Sequence, residues 1–319
     1  MSFKNIQGEE LPIQILQSYI KESRLSGGYL FVGPEGVGKK LTAKTLAKAV
    51  NCLEEKSDCC DACASCKKIE NNQHPDVHII ESDDSEIKIE YIRQLQREIN
   101  FKPYEGRKKV FIIDKAHRLN PESSNALLKV LEEPPKDSLI ILVTDKPSLL
   151  FKTVISRCKI LKFSALKREE LEGFLKRDYG FDNDLAHFLA YFSEGRLGHA
   201  LKFKDADIIR QKNRVIDRFA LSPRLSLEGL ALQNKEEIRS YLNILATWFR
   251  DIYLIKVGLP HSEVINSDRK TELLKVMGKF SFPDLNEIFD SISEAILQIE
   301  QNINVKLLIY NLGAQLWKA

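Results

Sequence analysis

Short apolar runs separated by longer stretches of helical period fill the first half of the chain. Residues 29–32, 77–80, 110–113, 139–143 and 159–163 are β-rich and apolar. Runs of this kind predict parallel strands covered on both faces. Between them, Ile87, Tyr91, Leu95 and Ile99 step by four along one predicted helix face. Asn120-Pro121-Glu122 predicts a helix start, with an N-cap, a proline at the first helical position and an acid in the first turn. That helix must stop before Pro134-Pro135. Alternating strands and helices argue for a doubly wound α/β domain over 1–163.

Beyond Phe163 the pattern is helical only. Residues 166–201 read as three short helices broken at Gly180 and Gly195. Longer helices follow from Asp207, where Leu245, Trp248, Phe249 and Ile252 keep the spacing of a core-facing stripe. Leu308, Leu312 and Leu316 make another at the C-terminus. The fold class is therefore α/β plus all-α, with a small helical domain over 164–206 and a larger one over 207–319.

Candidate chemistry begins at Gly33-Pro34-Glu35-Gly36-Val37-Gly38-Lys39, between a strand and a helix. Glycines at 33, 36 and 38 let such a loop wrap a phosphate, and Lys39 would reach the β- and γ-phosphates. The next position should offer a Ser or Thr hydroxyl to Mg²⁺; it is Lys40, which has no acceptor. Asp114 ends an apolar strand, where an acid can face Mg²⁺, but the base expected beside it is replaced by Lys115. Both replacements argue against efficient ATP hydrolysis, while binding of ATP or ADP stays open. Ser156-Arg157-Cys158 precedes the last strand, where an exposed Arg157 can act in trans on a neighbour's γ-phosphate.

Five of the six cysteines lie between 52 and 66. Cys52, Cys60, Cys63 and Cys66 have the spacing of a closed, structural Zn²⁺ site, with Cys59 as an alternative to Cys60. His74 and His78 are expected in loop and strand roles, His117 in packing or capping, and Trp248 in a helical core. The 319 residues carry 48 Lys+Arg against 45 Asp+Glu, a net +3. That balance gives little support to a zinc-containing nucleic-acid-binding module, and Arg107-Lys108-Lys109 reads as a solvated turn. No apolar run approaches the ~20 residues of a membrane span, and residues 1–10 lack a signal-peptide pattern, so a cytoplasmic protein is expected.

Taken in order, these motifs resemble the δ′ family of bacterial DNA polymerase III clamp-loader subunits, within the AAA+ superfamily. The phosphate loop, the cysteine cluster, His74-Pro75-Asp76, Ile113-Asp114-Lys115-Ala116-His117, Asn125-Ala126-Leu127-Leu128-Lys129, Leu131-Glu132-Glu133-Pro134-Pro135 and Ser156-Arg157-Cys158 carry the likeness, as does Asn302-Ile303-Asn304-Val305-Lys306-Leu307 near the C-terminus. The resemblance implies a RecA-like AAA+ domain with a zinc-binding insertion at about 52–66, a helical lid and a helical collar that joins subunits. It implies γ/τ and δ subunits as partners, with the sliding clamp and primed DNA reached through the complex and no membrane. It assigns Arg157 to a neighbour's ATP and Thr144 to nucleotide sensing. Gly198 stands where ATPase subunits of the family keep an arginine, with Arg196 nearby. A δ′-type subunit that completes the ring is thus the leading expectation, and an ATP-hydrolysing γ/τ-type motor the alternative.

Overall fold

The computed structural model describes residues 1–81, 86–203, 208–221, 235–260 and 263–300. The stripe at Leu308, Leu312 and Leu316 and the segment 302–307 lie outside them, as do parts of 164–206 and 207–319. The chain divides into two compact units, Met1–Leu166 with Arg196–His199, and Lys167–Gly195 with Ala200–Ala319.

The first unit is built on five parallel strands, β1 (Gly27–Val32), β2 (Val77–Ile80), β3 (Lys109–Ile113), β4 (Ser138–Thr144) and β5 (Cys158–Lys162). Their order in the sheet is β2-β3-β4-β1-β5. Two-residue alternation feeds two cores. Tyr29, Phe31, Val110, Ile112, Leu139, Ile141 and Val143 pack with α1 (Glu10–Lys21) and α2 (Lys39–Asn51). Leu30, Phe111, Ile113, Ile140 and Leu142 pack with α4 (Ile89–Glu98) and α5 (Pro121–Glu132) on the other face. Between α2 and β2 lies the short helix α3 (Ala64–Glu70). All the expected strands are present, in the doubly wound α/β layers that the sequence predicts.

Three details depart from the sequence reading. β5 is an edge strand, and Ile160 on it is 46% exposed, so it is not covered on both faces. α4 begins only at Ile89; Ile87 sits before it in a bridge with Leu119, and the buried face runs through Ile92, Leu95 and Ile99 while Tyr91 is 44% exposed. Lys109 opens β3 and is buried, its Nζ donating to the Glu98 carbonyl at 3.1 Å, so the basic run is not all solvated turn. The helix start at Asn120 is as expected: its side chain accepts from Ser123 N at 2.8 Å.

The second unit opens with α7 (Arg168–Tyr179), closed by Gly180, and α8 (Asn183–Phe192), capped by Asp182. α6 (Lys152–Ile155) precedes β5 in the first unit, and α9 (Leu197–Lys202) follows Gly195. α10 (Ile208–Val215), α11 (Lys235–Val257), α12 (Lys270–Val276) and α13 (Phe282–Glu300) complete the described α-helices. Leu245, Trp248, Phe249 and Ile252 are buried on α11 as the stripe predicts. Polar ties set the loops: buried Asp251 accepts from Ile265 N and Asn266 N, and buried Lys212 donates to both carboxylate oxygens of Asp268.

In the first unit the segment entering β3 hangs on one carboxylate. Asp76 accepts backbone hydrogen bonds from Tyr104 at 2.7 Å and from Glu105 and Gly106 at 2.8 Å. Burial alone would raise its pKa, but these three donors outweigh it and hold the carboxyl below the usual range. Asp76→Ala strands three N–H groups and is expected to cost about 3 kcal/mol or more in urea unfolding. Because the folded pKa is depressed, the stabilisation is present above the ordinary carboxylate pKa and is lost as pH falls through the folded value. The stability gap between wild type and variant should therefore narrow in acid.

Candidate functional site

Parallel strands put all their C-terminal ends on one side, and there the sequence-predicted nucleotide residues gather. The loop leaving β1 turns into α2 through Gly36 (φ 84°) and Gly38 (φ 100°), left-handed conformations that favour glycine. Lys39, the first residue of α2, is buried and donates to the carbonyls of Gly33 (2.6 Å) and Pro34 (2.5 Å). Burial pushes its pKa down, against the opposing pull of Asp145 and Asp114. Asp114 lies just past the end of β3 and Thr144 ends β4. The Thr144 hydroxyl accepts from Lys146 N at 3.0 Å and shares a 3.1 Å hydrogen bond with His117 Nδ1.

Lys40 points into the same end of the sheet. Its ammonium lies 2.7 Å from Glu81 and 3.4 Å from Asp114 Oδ2, while Asp114 Oδ1 accepts from Lys115 N at 2.9 Å. Burial alone would lower the Lys40 pKa, but the Glu81 hydrogen bond and the Asp114 charge raise it above the usual lysine value, so it is a fixed cation. A Mg²⁺ ion wants oxygen ligands in near-octahedral geometry at about 2.0–2.1 Å. The hydroxyl that would offer one is replaced by an ammonium, and both oxygens of Asp114 are engaged. These residues do not fit a divalent cation.

The segment Arg196–His199 closes on the loop. Gly198 N donates to the Gly36 carbonyl at 2.8 Å. A Cβ at position 198 would stand 2.8 Å from that oxygen and 3.3 Å from the Gly36 Cα, so only glycine fits here. Gly198 thus meets the loop through a backbone-to-backbone contact.

Arg157 sits elsewhere. Cys158 is paired with Gly28 at the N-terminal end of β1. From Gly28 to Gly33 the strand climbs roughly 16 Å at about 3.3 Å per residue. Arg157 therefore lies at the opposite edge of the sheet from its own phosphate loop. Its Nε donates to Glu132 Oε1 at 2.9 Å, its Nη2 lies 2.5 Å from the same oxygen, and its Nη1 donates to the Thr153 carbonyl at 2.9 Å. Both partners are partly exposed.

The cysteines form a third locus. The sulfurs of Cys52, Cys60, Cys63 and Cys66 all lie within 4.8 Å of one another and can hold a metal ion. Backbone N–H groups of Glu55, Cys63 and Cys66 point at the sulfurs of Cys52, Cys60 and Cys63 at 3.2–3.5 Å. Although burial raises it, the backbone donors at Leu53 and Cys66 bring the Cys63 thiol down to about 7. Cys59 is not in the set; its sulfur lies 3.5 Å from Asp61 Oδ1, and burial pushes it up to about 12. Lys48, buried on α2, bridges Asp61 (2.7 Å) and Glu70 (2.8 Å) and ties this segment to the sheet domain. His74 and His78 stay outside: His74 Nδ1 accepts from Asp76 N, and His78 stacks on Phe111.

Residues 8–167 match the family model described as DNA polymerase III, delta subunit, and residues 207–316 match its C-terminal counterpart. The DNA polymerase III subunit delta' of Bacillus subtilis (strain 168) is 30% identical over 313 residues, 94% of this chain and 93% of its own. The chain belongs to the DNA polymerase III δ′ family. The tau subunit of the same organism is 38% identical, but over only 55% of this chain and 31% of its own. Among solved structures, a Thermotoga maritima protein described as DNA polymerase III gamma subunit-related aligns over 96% of this chain and 99% of its own, with a TM-score of 0.47 and 18% identity.

For this δ′-family chain, sequence reasoning missed Glu81, Glu132 and Asp145. Glu81 carried the same signal that picked Asp114, an acid directly after an apolar strand. Glu132 stood in a quoted motif with no role attached, and its pairing with Arg157 spans 25 positions that no local pattern links. Gly198→Ala should force the Arg196–His199 segment off the loop and cost about 1–3 kcal/mol in thermal or urea unfolding. Gly173→Ala is the control, since a Cβ there meets nothing within 4 Å in α7 and should stabilise by about 0.5–1 kcal/mol.

Proposed function

We propose that this chain is the non-hydrolysing member of a clamp-loader ring, assembling with γ/τ and δ subunits and supplying Arg157 to a neighbour's ATP so that the sliding clamp is loaded on primed DNA. The observation that carries it is the polarity of the sheet: Arg157 lies at the edge opposite its own phosphate loop, where it can serve only another molecule. Its present partner, Glu132, is an exposed carboxylate, and such pairs are worth about 0–1 kcal/mol. Exchanging it for a phosphate in a water-poor interface is therefore inexpensive. Lys115 cannot accept a proton from an attacking water, which counts against the motor alternative. In this reading 1–163 is the AAA+ module, 164–206 the lid and 207–319 the collar that joins the ring, and the protein works in the cytoplasm.

The metal of Cys52, Cys60, Cys63 and Cys66 is zinc in a structural role. Four sulfurs at about 2.3 Å from a tetrahedral Zn²⁺ stand about 3.8 Å apart, which the cluster accommodates, and four thiolates leave no open position for substrate. Bound zinc would hold residues 52–66 as one small body against α2 through Lys48.

Two experiments follow. Arg157→Ala in the reconstituted complex should leave assembly intact while hydrolysis at the neighbouring site, read by single-turnover ATPase, falls about 10³-fold; unchanged turnover rejects the assignment. Metal content by mass spectrometry should fall from one equivalent to none in Cys60→Ser and stay at one in Cys59→Ser. The reverse result would move the ligand to Cys59.

A further inference from the structure

We propose that a nucleoside diphosphate or triphosphate held on the Gly33–Lys39 loop is held without a divalent cation, the Lys40 ammonium standing where that cation would. The inference rests on reading this loop as a nucleotide site, and goes beyond it by naming the form of ligand the site accepts.

Three observations converge. The loop retains what grips phosphate oxygens: glycines in left-handed conformation at 36 and 38, the start of the 13-residue α2, whose N-cap Gly38 makes no side-chain hydrogen bond, and a buried lysine at 39. The Lys39 ammonium rests on the Gly33 and Pro34 carbonyls, acceptors it can leave when phosphate oxygens arrive. One residue along, Lys40 brings a second positive charge on a short tether to the carboxylates of Glu81 and Asp114. In a loop with Ser or Thr at that position, a bound cation would face the acid that follows β3. Here the acid already has its cation, covalently attached.

The consequence for recognition is one of charge and of free ligand. A divalent ion entering this end of the sheet would have to displace Lys40 from Glu81 and Asp114, and would then face the displaced ammonium nearby. It would also find no hydroxyl at position 40. Nucleotide already complexed with Mg²⁺ in solution must therefore shed the metal to bind, so added Mg²⁺ competes for the ligand. Two lysines can neutralise the phosphates of the nucleotide without arranging a hydrolytic water, so such a ligand would stay intact.

The test is ADP binding to the full chain by isothermal titration calorimetry, in EDTA and in excess Mg²⁺. Wild type should bind as tightly or more tightly in EDTA. Lys40→Thr, which restores the hydroxyl and frees Asp114, should gain about tenfold in affinity on adding Mg²⁺, or about 1.4 kcal/mol. Lys40→Arg should behave as wild type. Tenfold tighter binding by wild type in Mg²⁺ than in EDTA overturns the proposal while leaving the nucleotide site standing. Absence of ADP binding in both conditions overturns the nucleotide site and the proposal together. The wild-type comparison needs no variant to fold.

Discussion

Parallel pairing forces every strand of the sheet to begin on one edge and end on the other, and the chemistry of this chain is sorted by that rule. Gly33, Lys39, Lys40, Asp114 and Thr144 follow or finish strands and meet at one edge; Arg157 precedes a strand and stands at the other. The fold could not place them together without reversing β5. The first unit therefore has two separate strand-end faces, one carrying the Gly33–Lys39 loop and the other the Arg157–Glu132 pair.

At the loop edge the balance is electrostatic. Asp114 and Glu81 are two carboxylates beside a helix start, a combination that invites a cation. Lys40 satisfies both from within the chain, and Lys115 N takes the remaining oxygen of Asp114. Burial works against any charge in such a place, yet Lys40 stays protonated because its partners outweigh that cost. The buried Lys39 shows the opposite balance, its pKa lowered because burial outweighs the pull of Asp145 and Asp114, while its ammonium rests on neutral carbonyls. Two adjacent lysines of the same helix turn thus have different roles, set by what they face.

Much of this was legible beforehand because it depends on local rules. Strand runs, glycine positions, the Asn120 cap and the cysteine spacing are short-range patterns, and each is found where the pattern placed it. Choosing Cys60 over Cys59 was not possible from spacing, since adjacent residues differ only in where the backbone aims their sulfurs. The exposure of Ile160 depends on β5 falling at the sheet edge, a property of strand order. Tyr91 misled because a step of four drifts off a helix face unless a step of three corrects it, and the register shifts to Ile92. The Arg157–Glu132 and Lys40–Glu81 pairs join residues from different elements, so they wait on the tertiary fold.

The Gly36–Gly198 contact has an evolutionary meaning. A side chain at 198 cannot be introduced without moving the loop, while a hydroxyl at 40 leaves a lysine at 115 still beside the acid. Positions 40, 115 and 198 are thus held by separate constraints, and a replacement at 198 is a loss in stability on its own. Position 198 is closed to gradual change: any side chain larger than hydrogen must push the loop aside before it can do anything else.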